Sequence, residues 1–166
     1  AGWELGSYPD GHEDFPVGGV SWYEAAAYCS SIGRSLPTIY HWYGATAQDQ
    51  LSDIVKFSNF GPDGPAPVGR FPGRGDFGPY DMAGNVKEWC WNATGDKRYL
   101  LGGAWGEPTY LFNEPDARFP FERLPTHGIR CTRPMQQPSE NQLAAVSPSL
   151  DYGKDEPVSD AVYEAY

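Results

Sequence analysis

No apolar run in this 166-residue chain approaches the roughly 20 residues that a membrane-spanning helix needs. The opening Ala1-Gly-Trp-Glu-Leu5 has neither the basic nor the apolar region of a signal peptide, so the sequence assigns no compartment. Basic residues are scarce: 12 Lys and Arg stand against 22 Asp and Glu, for a net charge of -10. Phosphate backbones are held by clustered Lys and Arg, so a nucleic-acid partner is excluded, and an anionic membrane surface with it. Cysteine is nearly absent. Cys29, Cys90 and Cys131 follow no zinc spacing and are too few for a disulfide framework, which leaves at most one internal pair, kept reduced in a cytosolic setting. The three histidines, His12, His41 and His127, are scattered without ligand spacing.

What the chain has in quantity is turn formers and rings: 20 Gly, 16 Pro, 6 Trp, 11 Tyr and 8 Phe. That mixture favours a loop-rich fold pinned by aromatics over a helical bundle, and the length suits one domain with its own core. Residues 1–14, with Gly2, Gly6, Pro9 and Gly11, read as an irregular lead-in. Ser21 and Glu24 form a capping box ahead of three alanines, predicting a helix from Trp22 to about Ile32, with Trp22, Ala26 and Cys29 on its core stripe. Thr38 caps a second helix over about Ile39 to Ala47, in which the lone His41 is a packing or surface residue. From Gln48 to Phe77 the pattern reads as loop; an Arg74-Gly-Asp76 tripeptide within it is taken as coincidence. Val86 to Trp91 and Arg98 to Leu101 read as a hairpin around Asn92 to Lys97, and His127 to Thr132 as a closing strand. Residues 134–166 carry six acids and one base, half of the chain's net charge, and read as a linker-like tail with a short helix at Ser159 to Tyr166.

The stretch from Gly78 to Trp91 organises the rest. Asp81 and Glu88 bracket Gly84 and Asn85, residues that tolerate left-handed backbone. Such a curl can aim the carboxylates of Asp81 and Glu88 and the carbonyls of Gly84 and Val86 at one calcium ion, which takes six to eight oxygens. The competing reading is a solvated turn before a strand. Asp81-Met-Ala-Gly-Asn-Val-Lys-Glu-Trp89 resembles the signature of the formylglycine-generating enzyme, or sulfatase-modifying factor, family. Pro16-Val-Gly-Gly-Val-Ser-Trp-Tyr-Glu-Ala-Ala-Ala-Tyr-Cys29, Leu36-Pro-Thr38, Gly102-Gly-Ala-Trp105 and Gly128-Ile-Arg-Cys131 match it in the same order. The resemblance covers about residues 15–133. It implies an α+β, C-type-lectin-like fold of that family's type, loop-rich, with short antiparallel strands and two helices. It also implies structural calcium at Asp81, Gly84, Val86 and Glu88, and a disulfide between Cys29 and Cys131 that leaves Cys90 unpaired. A second family calcium loop would fall on Asn59, the Phe60 carbonyl and Asp63, where a plain turn is the stronger reading. Family members carry a further portion before the first motif, so the chain reads as a fragment or a minimal version.

Catalytic members hold copper on two cysteines and oxidise a substrate cysteine to formylglycine. By the resemblance, those positions fall on Glu107 and Phe112, and copper(I) selects soft sulfur ligands that neither supplies. No catalytic residue and no copper are therefore expected. Trp105, Glu107, Tyr110, Asn113, Arg118 and Arg123 instead offer a surface able to stack on and hydrogen-bond an unknown small-molecule or peptide ligand, although about half of these aromatics have an ordinary core reading. The leading expectation is a non-catalytic binding or regulatory module of a larger protein. Asp151 to Asp160 is similar to the connector of members fused to bacterial serine/threonine kinases or hydrolase-like domains. The alternative is a divergent oxidoreductase performing metal-dependent oxidation of a cysteine or another small substrate, as do relatives such as ergothioneine-type sulfoxide synthases and a pyoverdine-maturation protein.

Overall fold

Helix α1, Trp22–Ser31, starts where its capping box predicts. The Ser21 hydroxyl accepts from the Glu24 N–H at 3.3 Å and the Glu24 carboxylate accepts from the Ser21 N–H at 2.8 Å, satisfying two of the donors a helix start leaves open. The buried stripe is Trp22, Ala25 and Cys29, with Ala26 only half-buried, one position from the expected one. Helix α2, Ile39–Ala45, is capped by the Thr38 side chain and buries Ile39 and Trp42. This computed structural model describes residues 8–46, 51–73 and 78–146; the Arg-Gly-Asp tripeptide, the connector-like segment and the expected terminal helix lie outside them.

Two further short helices appear in stretches read as loop and linker. Helix α3, Leu51–Lys56, occupies the start of the 48–77 stretch, because the Gly and Pro punctuation there begins only after Phe57. Helix α4, Glu140–Leu143, has its own capping box between Ser139 and Gln142. It docks on the body through Asn92, whose buried side chain donates to the carbonyls of Gln142 and Ala144 at 2.7 and 2.9 Å. The same side chain accepts from the Ile39 N–H at 2.9 Å.

Four strands form one sheet in the order β3-β2-β1-β4, where β1 is Lys87–Thr94, β2 Lys97–Leu101, β3 Asp116–Arg118 and β4 His127–Gly128. β1 and β2 run antiparallel, as do β2 and β3. β4 pairs with β1 in parallel, which departs from the all-antiparallel expectation. The hairpin is tighter than its sequence suggests: Thr94 pairs with Lys97, and Gly95 takes φ +58 at the turn. The closing strand shrinks to two residues because the chain beyond it pairs elsewhere, through a bridge between Thr132 and Ser35.

Alternation along β1 and β2 splits the core between the two faces of the sheet. Trp89 and Leu100 pack with Trp22, Ala25, Cys29 and Leu36. Cys90, Tyr99 and Leu101 pack with Ile39, Trp42, Ile54, Met82, Ala83 and Phe112. A disulfide of Cα separation 5.5 Å joins Cys29 of α1 to Cys131 just past β4. Cys90 is free and buried, and burial, then the Glu88 charge, push its thiol well above the usual range.

The disulfide closes a loop of 102 residues, so in the chain-entropy account Cys29→Ser with Cys131→Ser lowers stability by roughly 4–5 kcal/mol. Urea midpoints of the double variant and the oxidised protein measure the difference. In the oxidised protein, Cys90 should take up iodoacetamide only once the fold is opened.

Candidate functional site

The glycine-rich turn before β1 is stitched to two loops. Gly84 takes φ +70, and a Cβ there would lie 2.3 Å from the Asn59 carbonyl oxygen, so no side chain fits. The Gly84 N–H donates to the Gly102 carbonyl at 2.8 Å and the Asn85 N–H to the Asn59 carbonyl at 2.7 Å. The buried Asn85 side chain pairs with both backbone groups of Ala66, at 2.9 and 3.1 Å, much as a β-strand would. Asp81 and Asn85 both take left-handed backbone, φ +55 and +62.

Around this turn both expected calcium-binding carboxylates have partners. The Asp81 carboxylate accepts from the Gly69 N–H at 2.7 Å. Glu88, only 4% exposed, accepts from Trp42 Nε1 at 2.8 Å and from Arg130 Nε at 2.9 Å on both oxygens. A second Arg130 nitrogen lies 2.7 Å from the Glu88 carboxylate and donates to the carbonyls of Tyr80 and Asp81 at 3.0 and 3.2 Å. The Glu88 charge raises the Arg130 pKa further above its ordinary value. In the second expected loop, Asn59 donates to the Gly64 carbonyl at 3.0 Å, the Phe60 ring packs against the core, and Asp63 is exposed.

On the neighbouring position of β1, Lys87 is as buried as Glu88. Its ammonium bridges Glu107 at 2.9 Å and Asp116 at 2.8 Å, and Arg118 caps Asp116 at 3.1 Å. Burial pushes the Asp116 carboxyl up, but the Lys87 hydrogen bond and charge, with help from Arg118, outweigh it and hold the pKa below the ordinary value. His127, paired with Lys87 across β1 and β4 and 1% exposed, sets its ring edge-on to Trp89 at 5.3 Å. Burial, then the Lys87 charge, lower its pKa, so the ring is neutral near pH 7. Trp105 Nε1, Glu107 Oε2 and His127 Nδ1 are buried atoms without a hydrogen-bond partner. Beside them, Trp105 lines a cavity of about 240 Å³ with Phe15, Pro16, Pro65, Val86 and Arg123. Arg123 at its rim pairs with Glu24 at 2.8 Å.

The six residues named from sequence as a ligand surface thus divide. Trp105 and Arg123 share the cavity, and Glu107 and Arg118 share the Lys87–Asp116 charge network. Tyr110, 65% exposed, lies on a 3-10 turn, Thr109–Phe112, that Asn113 ends by donating its N–H to the Tyr110 carbonyl. Among the described residues neither bonds to the other four. Phe112 is core, with its ring 6.1 Å from that of Trp42. Sequence reasoning missed Lys87, Asp116, His127 and Arg130. The available signal was Lys87 and Glu88 side by side within an aromatic strand, since neighbouring buried charges demand partners of opposite sign.

The sulfatase-modifying factor enzyme 1-like domain matches residues 3–135, a span that takes in most of the segment read as a lead-in. The inactive C-alpha-formylglycine-generating enzyme 2 of Bos taurus is 33% identical over 117 residues, which cover 55% of this chain and 39% of that protein. The serine/threonine-protein kinase pkn1 of Chlamydia caviae is 40% identical over 88 residues, covering 48% of this chain and 14% of the kinase. Hercynine oxygenase of Mycolicibacterium smegmatis is 30% identical over 131 residues, covering 55% of this chain and 31% of that enzyme. The chain thus spans well under half the length of these three relatives. Among solved structures, Treponema denticola variable protein 1 superposes with a TM-score of 0.60 at 20% identity, over 75% of this chain and 73% of that one. PvdO from Pseudomonas aeruginosa gives 0.57 at 22% identity, over 70% and 60%. Together with the observed sheet and helices, these likenesses make the fold the α+β, C-type-lectin-like one.

Both perturbed groups around Lys87 make the fold acid-sensitive. His127 has a folded pKa below the roughly 6.5 of the unfolded chain, so its contribution is full above that value and is lost as pH falls through the lowered one. Asp116 behaves likewise from about 3.9 downward. Urea midpoints should therefore decline in two steps on acidification. Lys87→Met should cost about 2 kcal/mol near pH 7, discounted for the partial exposure of both carboxylates, and should flatten the lower step.

Proposed function

The chain belongs to the sulfatase-modifying factor enzyme 1-like domain family, and from that membership we propose that it is a non-catalytic ligand-binding or regulatory module of a larger protein. The observation that carries this reading is Glu107. At a position where the family resemblance puts a copper-holding cysteine stands a carboxylate ion-paired to Lys87 at 2.9 Å. The second such position, Phe112, is packed into the core. A hard, already neutralised carboxylate and a buried ring make no site for a soft cation. A relative whose name carries the word inactive supports the reading, and the match to a kinase supports membership in a longer chain.

Loss of the thiolates does not empty the neighbouring cavity, because its walls are specified by other residues. Phe15, Pro16 and Pro65 give it apolar faces, and Trp105 and Arg123, residues that carry N–H donors, also line it. We read it as a seat for a small planar group with an acceptor, such as an aromatic carboxylate: ring against ring and proline, with the unpartnered Trp105 Nε1 donating once an acceptor arrives. A second reading, oxidation of a small substrate, rests on the likeness to hercynine oxygenase. Among the described residues no three of His, Cys, Asp and Glu gather to hold a metal, so that chemistry would draw its ligands from beyond them.

Incubation with copper and a peptide carrying the sulfatase-type cysteine motif should leave the peptide mass unchanged; formation of the aldehyde would sink the non-catalytic reading. Benzoate followed by ligand-observed NMR should bind the wild type and bind Trp105→Ala about tenfold more weakly, a loss near 1.4 kcal/mol. Equal binding by both proteins would remove the cavity from the proposal.

A further inference from the structure

The turn from Tyr80 to Glu88 collects carbonyl oxygens and a buried carboxylate, the chemistry a calcium ion seeks. Its central carboxylate, Glu88, is nevertheless taken. A carboxylate offers about four lone-pair sites, and Glu88 uses them on two contacts from Arg130 Nε, one from the outer Arg130 nitrogen and one from Trp42 Nε1. That outer nitrogen also reaches the carbonyls of Tyr80 and Asp81. The remaining acid, Asp81, turns its carboxylate to the Gly69 N–H. With the lone-pair sites of Glu88 spent on donors, that carboxylate has none left for a calcium ion.

We infer that the guanidinium of Arg130 is itself the structural cation of this turn, occupying the Glu88 carboxylate that the family resemblance assigns to calcium, and that the turn folds without metal. The guanidinium matches the task. It is planar, carries five donors and keeps its charge at every accessible pH. It therefore neutralises a buried carboxylate and ties down two backbone carbonyls in one group, as a bound ion would. One of those carbonyls belongs to Asp81, whose left-handed backbone at φ +55 is a conformation that Asp tolerates and that this contact helps to hold. A divalent ion added to the same oxygens would sit against this fixed positive charge, and like charges at such distance repel strongly. Arg130 comes from the segment just past β4, next to Cys131 of the disulfide, so the cation is delivered by a covalently anchored strand end.

Thermal melting of the whole chain in excess EGTA and in millimolar calcium tests this, with metal content of the dialysed protein measured by plasma mass spectrometry. The wild type should contain no stoichiometric calcium and melt at the same temperature in both buffers. Arg130→Ala should melt roughly 10 °C lower, from the loss of a buried pair's partner, and should regain part of the loss in calcium, because the vacated oxygens then form a cation site. Arg130→Lys should fall between them, a point charge without the fork, and gain little from calcium. If Arg130→Ala does not fold, Glu88→Gln serves instead: it should lower the melting temperature equally in both buffers. One calcium per wild-type chain, or a wild-type melting temperature that drops in EGTA, would overturn the inference, as would an Arg130→Ala protein that melts like the wild type or ignores calcium.

Discussion

Burying a charge costs several kcal/mol unless a partner neutralises it, and β1 buries two of opposite sign at adjacent positions, Lys87 and Glu88. Neighbours on a strand face opposite sides of the sheet, so the two demands are answered in different directions. Lys87 draws in Glu107 from the loop after β2 and Asp116 from β3. Glu88 draws in Trp42 from α2 and Arg130 from beyond β4. Segments with little hydrogen-bonded structure of their own are thereby fixed on both sides of one strand. In a chain so rich in Gly and Pro, this does part of what longer strands and helices do in other folds.

The same strand explains how much of the fold was legible. Signals that act locally could be read directly: the Ser21–Glu24 capping box set the start of α1, Thr38 that of α2, and the turn residues after Thr94 located the hairpin. α3 and α4 escaped because each is about one turn long, too short for periodicity to show, although the Ser139–Gln142 box stood in plain sight. The site was harder. Glu88 as a carboxylate at the centre of the turn was legible, but its partner is 42 residues away, and nothing in spacing announces that arginine. Lys87 lies inside the Asp81–Trp89 motif and His127 just before Gly128-Ile-Arg-Cys131, yet neither motif announces their pairing, which exists only through the parallel register of β1 and β4.

The charge network and the cavity beside Trp105 are neighbours, and their chemistry differs. Lys87, Glu107 and Asp116 are mutually satisfied except for the free Glu107 oxygen, which makes them a rigid, poorly reactive wall. The cavity is lined mainly by apolar side chains, together with Trp105 and Arg123.

Asn92 holds one further consequence. Its amide joins the start of α2 to the carbonyls of α4, and the Tyr99 hydroxyl and the Ala93 carbonyl fasten Val146 at the same edge. Val146, 45 residues beyond the end of β2 at Leu101, is therefore brought back to the β1–β2 hairpin and held there by a bond to each strand.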